Sequence, residues 1–380
     1  MSAVMLEKQM QELEHPYTYA ENNPVNRIDP SGLKESLIKS FPFGTFNPLI
    51  VFGAFMPQMS FSSLAYAEKK KVTRREQFLN EMDQVTPWAA LESLIEPHYA
   101  KAGNGRRPMP LGVMLRIYFM QQWFALSDPG MEDALYDSSA MQRFAGLELG
   151  RDAIPDETTI LHFRHLLEKH GLTQQLFDAV RDLLQDKGIL VKSGTITDAT
   201  IIHAPSSTKN RDRARDGEMS STKKGSTWHF GMKAHVGADS KSGLVHTLET
   251  STASVHDSQK AEALLHGEEK ELYGDKAYAD ETRREVYRSK GVKWRVCLKA
   301  KRGRALSERE LRWNKSRNRV RARVEHGFGV VKHLWGYRKV RYRGLYKNTC
   351  QLLSLFLLSN LYRARCSLMR IKAWEMSRAG

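Results

Sequence analysis

The sequence predicts a chain in two working parts: an all-helical domain over residues 59–190, then an α/β (α+β) domain over 191–380 with a mixed sheet flanked by helices. Three observations carry this. Between residues 68 and 190 apolar side chains recur at helical spacing. At Gly194 the period shortens, and β-branched residues gather in runs of strand length. Finally, NRVRARVEHGFGVVKHLW (Asn318–Trp335) reads as a helix of about five turns. Its apolar stripe is Val320, Val324, Phe328, Val331 and Trp335, and a second stripe carries Arg321, Glu325 and Lys332.

Residues 1–58 differ in character, being rich in Pro and Asn with no sustained period, and are expected to lack fixed structure. The run HPYTYAENNPVNRIDPSGL (His15–Leu33) resembles the segment that closes the core of Rhs/YD-repeat proteins. The expectation is a fragment and linker read through from an interrupted gene, with the working protein beginning near Met59; a genuine N-terminal arm is the alternative.

In the helical domain, Thr73 and Glu76 have capping-box spacing ahead of Phe78, Met82 and Val85. GNGRRPMP (Gly103–Pro110) is a turn carrying Arg106 and Arg107. Leu111, Met114, Leu115, Tyr118, Phe119 and Trp123 give an amphipathic helix, stopped by Ser127-Asp128-Pro129-Gly130. From Ile154 to Gly171 a further helix buries Ile160, Phe163, Leu166 and Leu167 and turns Arg164, His165 and Lys169 outward. Such a domain either docks on DNA in helix-turn-helix fashion or is plain packing; the pattern allows both.

In the second domain, GTITDATIIHAP (Gly194–Pro205) is a strand with Asp198 at its middle. Ser206–Thr227 reads as a polar, mobile loop, and Trp228–Ser254 as a hairpin turning at Asp239–Gly243. His256-Asp257 caps a short helix through Leu265. ELYGDKAYAD is a strand with Asp275 near its end, Glu281–Arg288 a helix, Val292–Ala300 a strand, and Gln351–Arg365 an apolar-faced helix.

A net charge of +16 and a pI near 9.7 call for a polyanionic partner. The excess is localised: Lys299–Lys347 holds 17 Lys/Arg against 3 Asp/Glu, which favours a binding surface over general solubility. The three cysteines have no metal-ligand or disulfide-framework spacing and fit a reducing cytoplasm. No apolar run reaches the roughly 20 residues needed to span a bilayer.

Asp198, Asp275 and Glu325 are the candidate catalytic and metal-binding residues. A carboxylate in a buried strand costs stability unless paired or bound to metal, and a lone acid among cations repels DNA unless a metal ion stands between. If the two strands are neighbours the three converge, and two Mg²⁺ ions would satisfy them and carry phosphoryl transfer by positioning and charge. The bland reading is a solvated helix whose Glu325 only pairs with neighbouring cations, and acids are common enough for such a trio to arise by chance.

The motifs TDAT around Asp198, STKKGSTWHFGMKAHVGAD (Ser221–Asp239), YGDKAY around Asp275 and RARVEHGF around Glu325 resemble the DDE transposases of bacterial insertion sequences, specifically insertion-sequence family five within the group typified by family four. Lys101–Asp137 and Pro155–Leu172 resemble that family's N-terminal domain, so the resemblance spans about residues 70–365. It implies an RNase H-like catalytic fold, Mg²⁺ dependence with Mn²⁺ as a substitute, and movement of the element's own DNA. By motif position Asp198, Asp275 and Glu325 would be the metal-binding triad. The group also carries Tyr, two residues, Arg, three residues, Glu, six residues, Lys; Arg321, Glu325 and Lys332 match, while Asn318 stands where Tyr is expected.

The DNA-contacting candidates are Arg321, Lys332, Arg106, Arg107, Arg164, Lys233, Arg302, Arg304, Arg312 and Arg317, with Trp228 either stacking on DNA or buried. His229, His235, His246 and His256 read as ordinary strand histidines rather than a metal cluster. The expected partner is double-stranded DNA, both the element's terminal inverted repeats and its target, met by a homodimer at the bacterial nucleoid and without a membrane. The rivals are a nuclease on the same fold lacking strand transfer and a DNA-binding repressor without chemistry.

Overall fold

A computed structural model of the protein describes residues 71–103, 107–148, 150–211, 213–301 and 303–379. The expectations for residues 1–58, Arg106 and Arg302 lie outside these residues. The chain divides into two units, Met1–Arg74 and Arg75–Gly380.

Seven helices come first: α1 (Arg74–Val85), α2 (Trp88–Ile95), α3 (Leu111–Phe124), α4 (Asp128–Asp137), α5 (Ser139–Ala145), α6 (Glu157–Lys169) and α7 (Leu172–Asp186). The expected stops and starts operate. Ser127 accepts from the Gly130 N–H to cap α4, and Asp156 accepts from the Thr159 N–H at 2.7 Å to cap α6. Met114, Leu115, Phe119 and Trp123 on α3 and Phe78, Leu79 and Met82 on α1 are buried.

The sheet follows: β1 (Gly194–His203), β2 (Ser220–Lys224), β3 (Thr227–Asp239), β4 (Val245–Thr252), β5 (Glu271–Gly274) and β6 (Lys293–Trp294), with α8 (Glu281–Ser289) crossing between β5 and β6. β1 is central. It pairs antiparallel with β3, which pairs antiparallel with β4 on its other side, and parallel with β5, which pairs parallel with β6. Reading across, the order is β4-β3-β1-β5-β6, the arrangement of an RNase H-like sheet. β6 is short, but the Arg295 and Cys297 N–H groups go on donating to Leu272 and Gly274, so the pairing runs further than the strand. The stretch expected to be a mobile loop contains β2, which pairs with the start of β3. β2 is charged and half exposed, so no apolar alternation announced it.

Two long helices complete the fold. α9 (Glu308–Gly329) begins ten residues before the expected start at Asn318, at a Ser307/Glu310 capping box. Its first three turns hold only Leu311 and Trp313 as apolar residues, two apart and off any helical repeat, which hid them from a search for period. Its end widens into a π-turn over Val330–Leu334, with Trp335 donating to Val330. The stripe is seated as expected, with Val324, Val331 and Trp335 buried. α10 (Leu345–Ala379) is longer at both ends than the apolar run that predicted it. It packs on α7, α3 and β4, so helical segment and sheet share one core. Tyr118 on α3 meets Ser354 at 2.8 Å, and Asn360 makes two hydrogen bonds to the Val245 backbone. No helix among the described residues is long and apolar enough to cross a membrane.

The β3–β4 turn fixes where α9 lies. Asp239 accepts from the Lys241 and Ser242 N–H groups, closing the turn locally. Gly243 has φ +69°, and a Cβ there would lie 2.7 Å from the Arg323 carbonyl oxygen of α9. Only glycine lets helix and turn approach this closely. Arg323 donates back to the Ser240 carbonyl, and Arg363 of α10 donates to the Gly243 and Ser242 carbonyls at 2.6 and 3.0 Å. The turn is thus held by both long helices, and α9 is set beside β1 and β5.

Candidate active site

β1 and β5 run side by side in register, the last pair being Thr197 with Gly274. One step further on, Asp198 and Asp275 fall opposite each other, on strands about 4.8 Å apart and on the same face. Asp198 is largely enclosed, with 15% of its side chain exposed. Its Oδ1 accepts from the Ala199 N–H at 2.9 Å, and its Oδ2 meets Arg321 Nε at 3.3 Å. Asp275 caps the short turn after β5, accepting from the Ala277 N–H at 2.7 Å. Glu325, on the face of α9 next to these strands, meets Arg321 Nη2 at 3.5 Å and is 44% exposed.

Arg321 is therefore the counter-charge for the whole acid group. Its guanidinium bridges Asp198 and Glu325, and it feels the charge of Asp275 as well, so these acids hold its pKa up despite burial. The Asp198 carboxyl is pushed up, by burial first and also by the neighbouring charge of Asp275, which Arg321 and the Ala199 N–H only partly offset. Two acids facing one another in a half-enclosed cleft favour a cation between them.

The donor set, three hard carboxylates, suits Mg²⁺ or Mn²⁺. In this arrangement, however, no three His, Cys, Asp or Glu side chains among the described residues are gathered closely enough to hold a metal ion. The guanidinium of Arg321 stands in that role. The residues fit a divalent ion by chemistry, and by position only once Arg321 gives way.

Three further residues belong to the site. Asn318, at the position where a Tyr was expected, accepts from Arg321 Nη1 at 3.4 Å and from Cys297 Sγ at 3.2 Å, tying α9 to the segment after β6. Tyr278 is buried, and its hydroxyl has no hydrogen-bond partner among the described residues. Burial and the charges of Asp257, Asp198 and Asp275 raise its pKa. Asp257, the nearest in effect of those charges, is itself paired with Lys233 at 2.9 Å. The signal for Tyr278 lay in YGDKAY: a capping Asp fixes what stands three residues on.

The cationic candidates divide. Arg164 does not face outward; it is buried, paired with Asp128 at 3.0 Å and Glu168 at 3.2 Å, and stacked over Tyr342. Lys233 is 11% exposed, held by Asp257 at 2.9 Å and the Val255 carbonyl at 2.7 Å. Neither is placed to meet DNA, because each is already neutralised inside the fold. Arg107, Arg304 and Arg312 are exposed, and Arg317 lies over the Trp313 ring at 4.5 Å. Arg304 also pairs with Glu310 at 3.0 Å, an exposed pair of little energetic weight. Trp228 is 67% exposed on the β2–β3 hairpin beside Lys223 and Lys224, which favours the stacking reading over burial. His235 and His246 are buried and bonded to Ser251 and Thr195.

Lys332 reaches across from the π-turn and donates to the Ile201 carbonyl at 2.6 Å, three residues along β1 from Asp198. Burial, then the charges of Lys224 and Arg338, lower its pKa to about 8. The folded value lies below the unfolded one of about 10.4, so in that window the unfolded chain holds a proton the folded chain has released, and stability from this group rises with pH. Its charge at a phosphate fades over the same range. Wild type and Lys332→Met are expected to differ in DNA affinity at pH 7 and to converge above roughly pH 9. Affinity curves that stay parallel from pH 6 to 9.5 would remove Lys332 from the DNA surface.

Paired acids at the ends of adjoining parallel strands, with a third on the helix packed across them, are a donor set suited to metal-assisted phosphoryl transfer. Residues 190–361 match the family model of the transposase DDE domain, and residues 67–166 match that of a transposase domain (DUF772). Residues 190–361 thus form a DDE transposase domain, an enzymatic phosphoryl-transfer domain. Among solved structures it is similar to the piggyBac transposase synaptic complex with hairpin DNA, at 9% identity and a TM-score of 0.42, over 79% of this chain and 75% of that one.

Proposed function

We propose that this protein is the transposase of a bacterial insertion sequence, cutting DNA at the element's ends and joining the freed 3′-hydroxyl to target DNA. The observation that carries the reading is the register of β1 and β5, which sets Asp198 opposite Asp275 under the helix that bears Glu325. In this reading the three acids hold two Mg²⁺ ions, with Mn²⁺ as a substitute; bound there, the ions would activate the attacking oxygen and stabilise the leaving one. Arg321, released from Asp198 and Glu325, turns its fork to a phosphate. Lys332, Arg304, Arg312 and Arg317, together with Arg107, Arg106 and Arg302, hold the backbone on either side. The helical domain, residues 59–190, grips the terminal repeats, two copies of the chain bring two ends together, and the work is done at the nucleoid in a reducing cytoplasm.

The test is strand transfer by the purified full chain, using DNA that carries the sequences flanking its own gene. Joined products are expected in Mg²⁺ and none in excess chelator. Cleavage without joining would favour the nuclease reading, and tight binding with no cleavage in either Mg²⁺ or Mn²⁺ the repressor.

A further inference from the structure

A second cationic feature lies away from the acids. The chain after the π-turn returns to the end of β1, where His203 bonds to the backbone of Arg338 and Val340. This brings Arg341, Tyr342 and Arg343 against the segment after β1 and encloses a cleft of about 240 Å³. Its walls include Ser207, Asn210, Arg215 and Asp216. At roughly 3.3 Å per strand residue the cleft begins roughly 20 Å from Asp198.

Arg341 is the unusual member. It is half-buried, and its one hydrogen bond among the described residues is a long one, 3.5 Å, to the Leu126 carbonyl. No carboxylate among the described residues pairs with it. Asp216 does line the cleft, but its oxygens accept from the Glu218 and Gly344 N–H groups rather than from Arg341. Arg215 lies over Phe230, with its guanidinium 5.4 Å from the ring centre. Burial depresses the pKa of Arg341, as expected for a cation enclosed without a partner anion. Other enclosed arginines in this chain are satisfied within it: Arg164 by Asp128 and Glu168, Arg321 by Asp198 and Glu325, and Arg363 by the Gly243 and Ser242 carbonyls at 2.6 and 3.0 Å. Among the described residues Arg341 has neither a carboxylate nor a close carbonyl, and an anion entering the cleft would supply what it lacks. The cleft is smaller than the roughly 300–1,000 Å³ of small-molecule sites and has two arginines beside Arg341 in its walls, which suits one phosphate group rather than a cofactor.

We propose that this cleft seats a backbone phosphate of the bound DNA, with Arg341 as its buried anchor and Arg215 at the rim. The proposal rests on DNA being the partner, as in the function proposed above, but not on catalysis. Held at the far end of the strand that carries Asp198, such a contact fixes the register of the duplex over the acids.

The test is DNA binding by the full chain in chelator, over a range of salt, for wild type, Arg341→Gln and Arg341→Lys. Arg341→Gln is expected to weaken binding at low salt for all sequences alike and to flatten the log–log salt slope by about 0.9, the share of one phosphate. Arg341→Lys should restore most of the slope. Should Arg341→Gln fail to fold, ethylation interference with wild type and Arg215→Gln replaces it: one phosphate whose ethylation blocks wild-type binding should stop mattering in the rim variant. An unchanged slope, or an interference pattern that Arg215→Gln does not alter, overturns the proposal. So does a thermal shift with inorganic phosphate that Arg341→Gln removes without any loss of DNA affinity, which would make the cleft a free-anion site. Because no cleavage is measured, a failed strand-transfer assay leaves this result readable.

Discussion

Asp275→Asn is expected to lower strand transfer on the order of 10³-fold or more while leaving binding to DNA ends within a few-fold of wild type. The amide keeps the shape and can still accept from the Ala277 N–H, so the cap on the turn after β5 survives. What is lost is one of two facing negative charges in a half-enclosed cleft. Removing it relieves the repulsion on Asp198, and the folded protein should be as stable as wild type or more so. Loss of chemistry with no loss of stability separates a catalytic acid from a structural one. Equal joining rates for the two proteins would take Asp275 out of the mechanism.

Arg321→Gln is expected to destabilise the metal-free protein by about 1–3 kcal/mol, below the range for fully buried pairs because Arg321 and Asp198 are 24% and 15% exposed. The variant leaves Asp198, Asp275 and Glu325 with no shared cation. Divalent ions should then do more for the variant than for wild type, since no guanidinium has to be displaced. The measurement is the thermal midpoint with and without about 10 mM Mg²⁺, where a bound ion adds stability by mass action. A larger Mg²⁺-induced rise in the variant is the expected outcome. If neither protein responds to Mg²⁺ or Mn²⁺, the three acids do not form a cation site.

The parts of the fold that could be read in the sequence are those where residue type and period agree. Asp198 stood out because an acid interrupts a β-branched run, and Asp275 because it closes a short apolar strand. That the two face each other needed the register of β1 with β5, a pairing between residues more than 70 apart that no local pattern encodes. Arg164 was misjudged for a related reason. Its place four residues after Ile160 put it on the edge of the buried face, and its partner Asp128 sits on another helix, 36 residues earlier. Lys233 likewise looked free until β4 and the turn after it brought Asp257 alongside. β2 and the first turns of α9 carried charge without period, so pattern had nothing to find. Asn318, where the family's spacing expects Tyr, carried no signal of its own in the sequence, and the structure makes it a bonded neighbour of Arg321 and Cys297.

α10 threads between the helical segment and the sheet, touching α3 and α7 with one flank and β4 with another. A rod shared in this manner makes melting a joint affair. The helical segment and the sheet should lose their structure in a single calorimetric peak, so damage at Ser354 or Asn360 is felt on both sides of the rod.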